Sequence, residues 1–363
     1  MKAYIVEQPL LASNTRFLLE KAGDAAVYGV IKGNGYGLGL IPLARILWEN
    51  GVTRFAVTEP REVRALREAG FRQAEILMLR ETGLEPELRE LMAQGAVITV
   101  GCPETARAAD ALAQTLGIRC PCHVKIDTGM GRYGFLPQDI DAIAQVYGLE
   151  HLEVQGIYTH FYSAYDDESA TRAQFAAFRQ VLEALEARGI APGLRHCCNS
   201  SAFLKYPEMH LDGVRLGSAV LGRLAFPGFS ALRPVGWCEA QVEVLRELPV
   251  GHTVGYGAGW KAKRPTKIAV FSVGYYHGFG APARNDLSRF RDCLVGVLSN
   301  IKAFFTHRAI YVTVNGQRAK VLGHVGMVQT VCDVTDIPCQ VGDPIRIDIN
   351  PLKFQALDIL YRN

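Results

Sequence analysis

A lysine stands at the start of a glycine-rich loop, directly after an apolar run. The run covers residues 27–31, and the loop KGNGYGLG covers 32–39, so Lys32 is its first residue. An apolar run of this length is typical of a buried parallel strand, and catalytic side chains of barrel and doubly wound enzymes lie at the carboxyl end of such strands. Desolvation lowers the pKa of an amine, which makes it a nucleophile or base near neutral pH. Lys32 is therefore a candidate Schiff-base lysine.

The glycine spacing excludes two common phosphate-binding loops. A Walker loop has its lysine after the glycines and before Ser or Thr, whereas Lys32 precedes Gly33 and Gly35. A dinucleotide-binding loop requires a third glycine three positions after Gly35, where this chain has Leu38. A phosphate-binding turn of another kind remains the alternative interpretation of this segment.

Polar residues also follow later apolar runs, at positions where core packing alone predicts none. These residues are Lys125, Arg132, His160, Asn199, Ser200 and Arg215. The segments 199–201 and 216–218 fit the phosphate cradle that barrels build after their last two strands. A lysine combined with such a cradle favours pyridoxal phosphate, while sugar-phosphate and aldolase-type chemistry remain open.

Short β-rich runs and helical stretches alternate along the first two thirds of the chain and must position these residues. The eight candidate strands are 27–32, 54–58, 75–79, 97–101, 122–127, 154–159, 194–198 and 213–217. Amphipathic segments between them end at glycines such as Gly70 and Gly189. Eight such repeats predict an α/β fold with an N-terminal (β/α)8 TIM-type barrel, and a doubly wound sheet is the alternative.

The pattern changes after about residue 231. Apolar runs there are punctuated by Gly, Pro and Asn, and long helical patterns disappear. The runs are 237–248, 267–273, 309–314 and 344–349. We therefore predict a barrel over 1–231 and a C-terminal, mostly-β domain over 232–363.

Composition excludes several classes of protein. The net charge of the 363 residues is only +3, and no basic stripe is present, so a nucleic-acid partner is not expected. No apolar stretch approaches the ~18 residues that span a membrane, and the start does not resemble a signal peptide, so we expect a cytoplasmic protein. The nine cysteines lack the spacing of a zinc site, and we expect reduced thiols and no bound metal.

Seven sequence blocks resemble the alanine racemase family of fold-type III pyridoxal-phosphate enzymes. The blocks lie at 30–37, 123–132, 156–161, 196–200, 214–217, 254–257 and 273–275. Each block alone is a weak signal, but their order and spacing over nearly the whole chain make a strong one. The resemblance implies a barrel followed by a β domain, pyridoxal 5'-phosphate as cofactor, and a head-to-tail homodimer with shared active sites.

The activity that the resemblance implies is interconversion of L- and D-alanine by two bases. Lys32 would hold the cofactor and act on one face of the substrate Cα, and Tyr256 would act on the other face from the partner's β domain. Two bases are needed because the proton must return from the opposite side, which one fixed group rarely reaches. Supply of D-alanine for cell-wall synthesis is the pathway expected of the family.

The resemblance assigns roles to further residues. Arg215 would face the pyridine nitrogen, and Arg132 would orient the ring and the substrate carboxylate. Lys125 would be carbamylated and fix Arg132, and Met327 would contact substrate from across the dimer. The remaining cofactor-binding residues would be Tyr36, His160, Asn199, Ser200, Gly217, Ser218 and Tyr275.

Several positions depart from the family pattern. Val328 and His277 stand where the family usually has aspartate, and the C-terminus lacks the arginine-rich segment and gate tyrosine. This ending is similar to that of the catalytic part of the serine racemases linked to vancomycin resistance, with Asn350 as a smaller polar gate. Serine racemisation, a fold-type III decarboxylase and a cofactor-binding paralogue with little or no activity are therefore the alternatives.

Overall fold

Eight strands and their intervening helices account for residues 26–216 of this computed structural model, which describes residues 2–224, 226, 229–280, 293–298, 309–354 and 356–363. The strands are β1 (Ala3–Glu7), β2 (Ala26–Val30), β3 (Arg54–Val57), β4 (Glu75–Met78), β5 (Ile98–Val100), β6 (Cys120–Lys125), β7 (Leu152–Tyr158), β8 (Leu194–Cys198), β9 (Gly213–Leu216), β10 (Gly236–Gln241), β11 (Val244–Leu248), β12 (Thr253–Val254), β13 (Trp260–Lys261), β14 (Thr266–Phe271), β15 (Tyr311–Val314), β16 (Gln317–Lys320), β17 (Thr330–Asp333), β18 (Pro344–Ile347) and β19 (Asp358–Arg362). The main α-helices are Gln8–Ala22, Leu40–Glu49, Pro60–Glu68, Glu85–Ala93, Pro103–Leu116, Ile140–Tyr147, Glu168–Glu186 and Ser200–Lys205.

Strands β2 to β9 form one parallel sheet that closes into a barrel. Consecutive strands pair from β2 to β4 and from β5 to β9, and β2 pairs with both β3 and β9. Between β4 and β5 the sheet is joined by a parallel bridge from Leu77 to Val97. The predicted (β/α)8 barrel is confirmed, and each of its strands overlaps a predicted run.

The barrel strands are rich in apolar residues, as expected of a parallel sheet that is covered on both faces. In β3 and β4 the last three residues of each strand are buried. One core cluster joins strands around the barrel through Tyr28, Val30, Ala56, Leu77 and Val97. The carboxyl ends of the eight strands consequently lie at one end of the barrel.

The remaining strands form a mostly-β unit. Its six-stranded sheet has the order β16-β15-β18-β10-β1-β19, and a three-stranded sheet has the order β11-β14-β17. Strand β1 pairs antiparallel with β10, Tyr4 opposite Cys238. Contacts divide the chain into Glu7–Val235 with Asn363, hereafter the barrel unit, and Gly236–Arg362 with the first six residues, hereafter the β unit.

This division differs from the predicted domains 1–231 and 232–363 at the amino terminus. The predicted barrel included the first residues, but β1 lies between β10 and β19 in the sheet of the β unit. Strand pairing over such a sequence distance leaves no local signal in the chain. Over the residues that the structure describes, no helix is both long and apolar enough to cross a membrane, and no group of His, Cys, Asp and Glu could hold a metal ion.

Candidate active site

The lysine of the glycine-rich loop lies in a left-handed turn, Lys32–Tyr36, just after β2. Gly33, Asn34 and Gly35 have φ of 63°, 55° and 64°, a conformation that costs little for glycine. The Gly35 N–H donates to the Ile31 carbonyl at 2.8 Å, which closes the turn. The strand therefore ends two residues earlier than predicted, and the glycines serve a tight turn that presents the lysine.

Two adjoining cavities lie where the barrel strands end, and both are lined by Lys32, Leu79, His160 and Arg215. The first, of about 150 Å³, is also lined by Thr58, Arg80, Lys125, Arg132, Tyr133 and Tyr158. The second, of about 230 Å³, is also lined by Val30, Tyr36, Asn199, Ser200, Ser201, Gly217 and Ser218. Ten of the predicted site residues thus lie together in the barrel unit.

The surroundings of Lys32 weaken its hold on a proton. Burial lowers the pKa of Lys32, and the nearby cations Arg132 and Arg215 lower it further, while the Glu62 carboxylate opposes this shift. A lysine with a depressed pKa has more of the unprotonated amine near neutral pH. This is the form that reacts with a carbonyl or accepts a proton.

Arg215 is a buried cation, 3% exposed, that is held by several acceptors. Its guanidinium donates to the carbonyls of Thr159 at 2.7 Å and Cys197 at 3.2 Å, and to the His196 ring at Nδ1 at 2.8 Å. Because Nδ1 of His196 accepts, its Nε2 carries the proton and donates to Nδ1 of His123 at 2.9 Å. These hydrogen bonds fix the guanidinium of Arg215, which lines both cavities.

The histidines around Arg215 are neutral. Burial lowers the pKa of His123 to about 3, and burial and the Arg215 charge hold the pKa of His196 far below its ordinary value. Desolvation and Arg215 likewise depress the pKa of His160, whose Nδ1 lies 3.4 Å from the guanidinium. His123 and His196 were not predicted as part of the Arg215 site, although both lie in the blocks that resemble the family.

A set of hydrogen-bond donors surrounds Ser200 in the second cavity. Its Oγ accepts from the N–H groups of Gly217 at 3.1 Å and Ala219 at 3.2 Å, so its own proton is left to donate. A Cβ on Gly217 would lie 2.3 Å from Oη of Tyr36, so the phenol needs a glycine there. Burial raises the pKa of Tyr36 to about 12, which keeps this phenol a donor. Asn199 caps the following helix, accepting from Ala202 N at 3.0 Å.

Lys125 is buried beside two aromatic rings in the first cavity. Its Nζ lies 5.1 Å from the ring centroid of Tyr133 and 5.7 Å from that of Tyr158. Burial, with the charges of Arg132 and Arg215, lowers the pKa of Lys125 to about 8. A substantial part of this amine is therefore unprotonated in mildly alkaline solution.

A third cavity, of about 470 Å³, lies within the β unit and contains Tyr256. Tyr256 follows Gly255, whose φ of 81° starts a short 3-10 turn, and its side chain is 81% exposed. His324, Met327 and Val328 line the same cavity. The phenol therefore lies near Met327, a predicted substrate contact, and near the apolar side chain of Val328.

Tyr275 begins another 3-10 turn of the β unit, which is bound to the Met327 segment. The Tyr275 N–H donates to the Gly326 carbonyl, and the Tyr276 N–H donates to the Met327 carbonyl, both at 3.0 Å. A Cβ on Gly274 would lie 2.1 Å from the Gly326 carbonyl oxygen, so this approach requires glycine. Tyr275 is half exposed and lies outside the residues that line the three cavities.

Two of the positions that depart from the family pattern have local structural roles. His277 is buried, and its Nδ1 accepts from the Gly274 N–H at 3.1 Å, while its Nε2 lies 2.8 Å from Nζ of Lys2. Asn350 lies in an exposed turn, where its side-chain oxygen accepts from Leu352 N at 3.0 Å. Like the carboxylate of the usual aspartate, the His277 ring can therefore accept a hydrogen bond from the turn that carries Tyr275.

The fold and the first two cavities together define a class of protein. A barrel that joins a low-pKa lysine, a buried arginine and a set of hydrogen-bond donors around Ser200, followed by a β unit, fits the fold-type III pyridoxal-phosphate enzymes. Residues 7–224 match the family model of the alanine racemase N-terminal domain, and residues 235–349 match that of the C-terminal domain. The chain belongs to the alanine racemase family.

Individual relatives agree with this assignment. An alanine racemase from Desulforamulus reducens is 35% identical over 320 residues, which is 86% of this chain and 79% of the relative. The solved alanine racemase of Streptomyces coelicolor A3(2) is 25% identical with a TM-score of 0.85, covering 100% of this chain and 98% of that one. An alanine racemase from Bartonella henselae, solved with covalently bound pyridoxal phosphate, has the same fold at 21% identity, TM-score 0.82 and 99% coverage of both chains.

Proposed function

We propose that this protein is a pyridoxal-phosphate-dependent racemase that interconverts L- and D-alanine, with Lys32 and Tyr256 as its two bases. The observation that carries the proposal is that Lys32 and Arg215 line two adjoining cavities, one of which also contains the hydrogen-bonding groups around Ser200. The name alanine racemase, borne by relatives at 32–35% identity, supports alanine over serine and an active enzyme over an inactive paralogue.

The residues of the barrel unit fit the cofactor. A phosphate requires donors, and the hydroxyls of Tyr36, Ser200 and Ser218 would supply them. The Gly217 and Ala219 N–H groups donate to Ser200 Oγ and so orient the Ser200 hydroxyl as a donor. Lys32 would bind the cofactor covalently through its amine. When bound, pyridoxal phosphate supplies an aldehyde carbon for that amine and a conjugated ring that takes up the electron pair left when the α-proton departs.

Arg215 would determine how strongly the ring withdraws electrons. A guanidinium stays charged near neutral pH, so placing it against the pyridine nitrogen disfavours ring protonation. Its partners Thr159, Cys197 and neutral His196 hold that charge in place without supplying a proton. The expected consequence is a site that limits side reactions while it still allows loss of the α-proton.

The proton transfers would divide between two groups on opposite faces of the substrate Cα. On one face, Lys32 would accept the proton as a free amine and return it as an ammonium. Tyr256 Oη would serve the other face from a second copy of this chain, with His160 beside it in the assembled site. Exposure of Tyr256 and of apolar Met327 and Val328 on the β unit supports such a second copy, because exposed apolar side chains grouped together mark interfaces.

Arg132 and Lys125 would hold the substrate carboxylate. Carbamylation by CO2 converts the Lys125 amine into an anion with release of a proton, and that anion would fix the guanidinium of Arg132. A pKa near 8 supports this role, because CO2 reacts with the unprotonated amine. Asn199 and Tyr275 would complete the cofactor contacts, and Met327 would contact substrate through its backbone. On the family resemblance we also place the enzyme in the cytoplasm, supplying D-alanine for cell-wall synthesis.

The test follows α-deuteration and chirality together, in D2O, on cofactor-loaded protein given L-alanine, D-alanine or L-serine. We expect alanine to racemise with deuterium uptake and serine to react more slowly. In Tyr256→Phe, racemisation should fall by about 10²- to 10⁴-fold, while one alanine enantiomer still exchanges its α-proton without inversion, because one base remains.

The matched control is Tyr311→Phe, which removes the hydroxyl of another exposed tyrosine in the β unit. It should racemise alanine like the unmodified protein. Bound-cofactor absorbance with no α-exchange on either amino acid would exclude an alanine racemase and a serine racemase. Undiminished racemisation in Tyr256→Phe would exclude the two-base assignment.

A further inference from the structure

Glu62 is a buried carboxylate in the barrel unit that the predicted site does not include. Its side chain is 6% exposed and sits in the first turn of the helix Pro60–Glu68. Its Oε2 accepts from the N–H groups of Thr58 at 3.0 Å and Glu59 at 3.2 Å, while its Oε1 accepts from the N–H of Asn34 at 3.2 Å. The carboxylate therefore bridges a helix start and the left-handed turn next to Lys32.

That turn needs an external anchor. Asn34 and Tyr36 both have φ of 55°, which side-chain-bearing residues adopt only at a cost. The hydrogen bonds within the turn run from Gly35 N to Ile31 and from Gly37 N to Gly33, so the Asn34 N–H is left for an acceptor outside it. Glu62 provides this acceptor, between the cofactor lysine and the phosphate-binding tyrosine.

Glu62 also contributes negative charge to a cation-rich site. The cavity that holds Lys32 is lined by Arg80, Lys125, Arg132 and Arg215, and no described residue lining either cavity is Asp or Glu. The charges of Arg132 and Arg215 lower the pKa of Lys32, whereas the Glu62 carboxylate raises it. Burial strengthens such interactions, because water screens them less.

We propose that Glu62 is a positioning residue for the cofactor lysine. Its carboxylate anchors the turn Lys32–Tyr36 through the Asn34 N–H and places a negative charge near Lys32. The inference rests on the proposed role of Lys32 as the lysine that binds the cofactor. The bonds to Thr58 and Glu59 alone would make Glu62 a helix cap. The hydrogen bond that the Asn34 N–H donates to Oε1 connects Glu62 to the active-site turn as well.

The first test measures amide hydrogen exchange in the segment 32–37 of the cofactor-free protein. In Glu62→Gln we expect this segment to exchange about 10- to 100-fold faster, because the amide has one acceptor oxygen for three N–H groups and its hydrogen bonds are no longer charge-assisted. The matched control is Glu68→Gln, which makes the same change at an exposed position on the same helix. Exchange in 32–37 that is equal in the two variants would overturn the anchoring role.

The second test measures the pH dependence of pyridoxal phosphate uptake by the cofactor-free protein. Relative to Glu68→Gln, Glu62→Gln should move the midpoint of cofactor uptake to lower pH by about half to one unit. The reason is that the ammonium form of Lys32 loses a stabilising negative charge, which lowers the pKa of this amine. The other charged or titratable groups that face the amine are the same in both variants. They are Tyr36, Arg80, Lys125, Arg132, Tyr133, Tyr158, His160 and Arg215.

Glu62→Asp separates the two effects, since it keeps the charge but shortens the reach. It should exchange faster in 32–37 and keep the midpoint near that of the unmodified protein. An unshifted midpoint in Glu62→Gln would overturn the electrostatic part, and failure of both Glu62 variants to fold beside a folded Glu68→Gln would reduce Glu62 to a folding residue. Neither readout uses turnover, so a protein that takes up cofactor without racemising alanine would contradict the proposed function alone.

Discussion

The barrel cavities and the Tyr256 surface of the β unit differ in how far their predicted functional side chains are exposed. In the barrel unit, Lys125 and Arg215 are 4% and 3% exposed, and carbonyls, rings and neutral histidines surround them. In the β unit the phenol of Tyr256 is 81% exposed, and Met327 beside it is 53% exposed. The polar groups of the barrel cavities are thus held by contacts within one unit, whereas Tyr256 and Met327 are exposed on the surface of the β unit.

The comparison predicts that substitutions in the two regions abolish different steps, and that two such variants restore activity when they are mixed. Lys32→Ala should lose at least about 10⁴-fold in racemisation together with covalent cofactor, because nucleophile and base disappear at once. Tyr256→Phe should keep its bound cofactor. If each site joins one barrel to a partner's β face, an equal mixture of the two variants regains about a quarter of full activity after subunit exchange.

The control for that mixture is Lys32→Ala combined with the double variant Lys32→Ala/Tyr256→Phe, which contains no intact pair and should stay inactive. Racemisation rates before and after exchange, with the oligomeric state followed by light scattering, provide the measurement. No recovery in the first mixture, despite exchange of subunits, would mean that both bases come from one chain.

A smaller effect is expected from a change confined to the phosphate cradle. In Gly217→Ala the new Cβ would lie 2.3 Å from Tyr36 Oη, so the phenol must move away. Overpacking of this kind costs about 1–3 kcal/mol, which corresponds to about 5- to 150-fold weaker cofactor binding. Equilibrium titration with pyridoxal phosphate checks this, and Gly83→Ala, where the nearest atom lies at 3.7 Å, serves as the control. Equal affinity in the two variants would show that Tyr36 does not bind the phosphate.

The smallest effect concerns Lys125. Since its pKa is about 8, the amine that reacts with CO2 is the minor form at pH 7 and the major form above pH 8. We therefore expect a carbamate signal in 13C NMR with labelled bicarbonate that grows between pH 7 and 9. Removal of CO2 should raise KM for alanine by about 3- to 10-fold, and Lys125→Met should not respond to CO2. An absent signal would contradict carbamylation.

Much of the barrel could be read from the sequence because its information is local. A parallel strand buried on both faces is a continuous apolar run, and polar residues at its end, such as His160 after β7, identify the catalytic end of the barrel. Ten predicted residues accordingly line adjoining cavities. Their individual roles there remain predictions, which the variants above test.

What could not be read depends on contacts between distant segments. Glu62 looks like any acidic residue in a first helical turn, and only the fold brings it to Asn34. Asparagine between two glycines is compatible with the positive φ at Asn34, but the positive φ at Tyr36 has no sequence signature. His196 likewise becomes a partner of Arg215 only when β8 and β9 lie side by side.

The position of β1 inside the β sheet has a consequence for synthesis of the chain. Its partner β10 is translated about 230 residues later, and β19 later still. At about 5–20 residues per second, that leaves β1 without its sheet for on the order of ten seconds or more, during which the barrel can already form. A nascent chain thus carries an unpaired strand that invites association with other chains until translation supplies its neighbours.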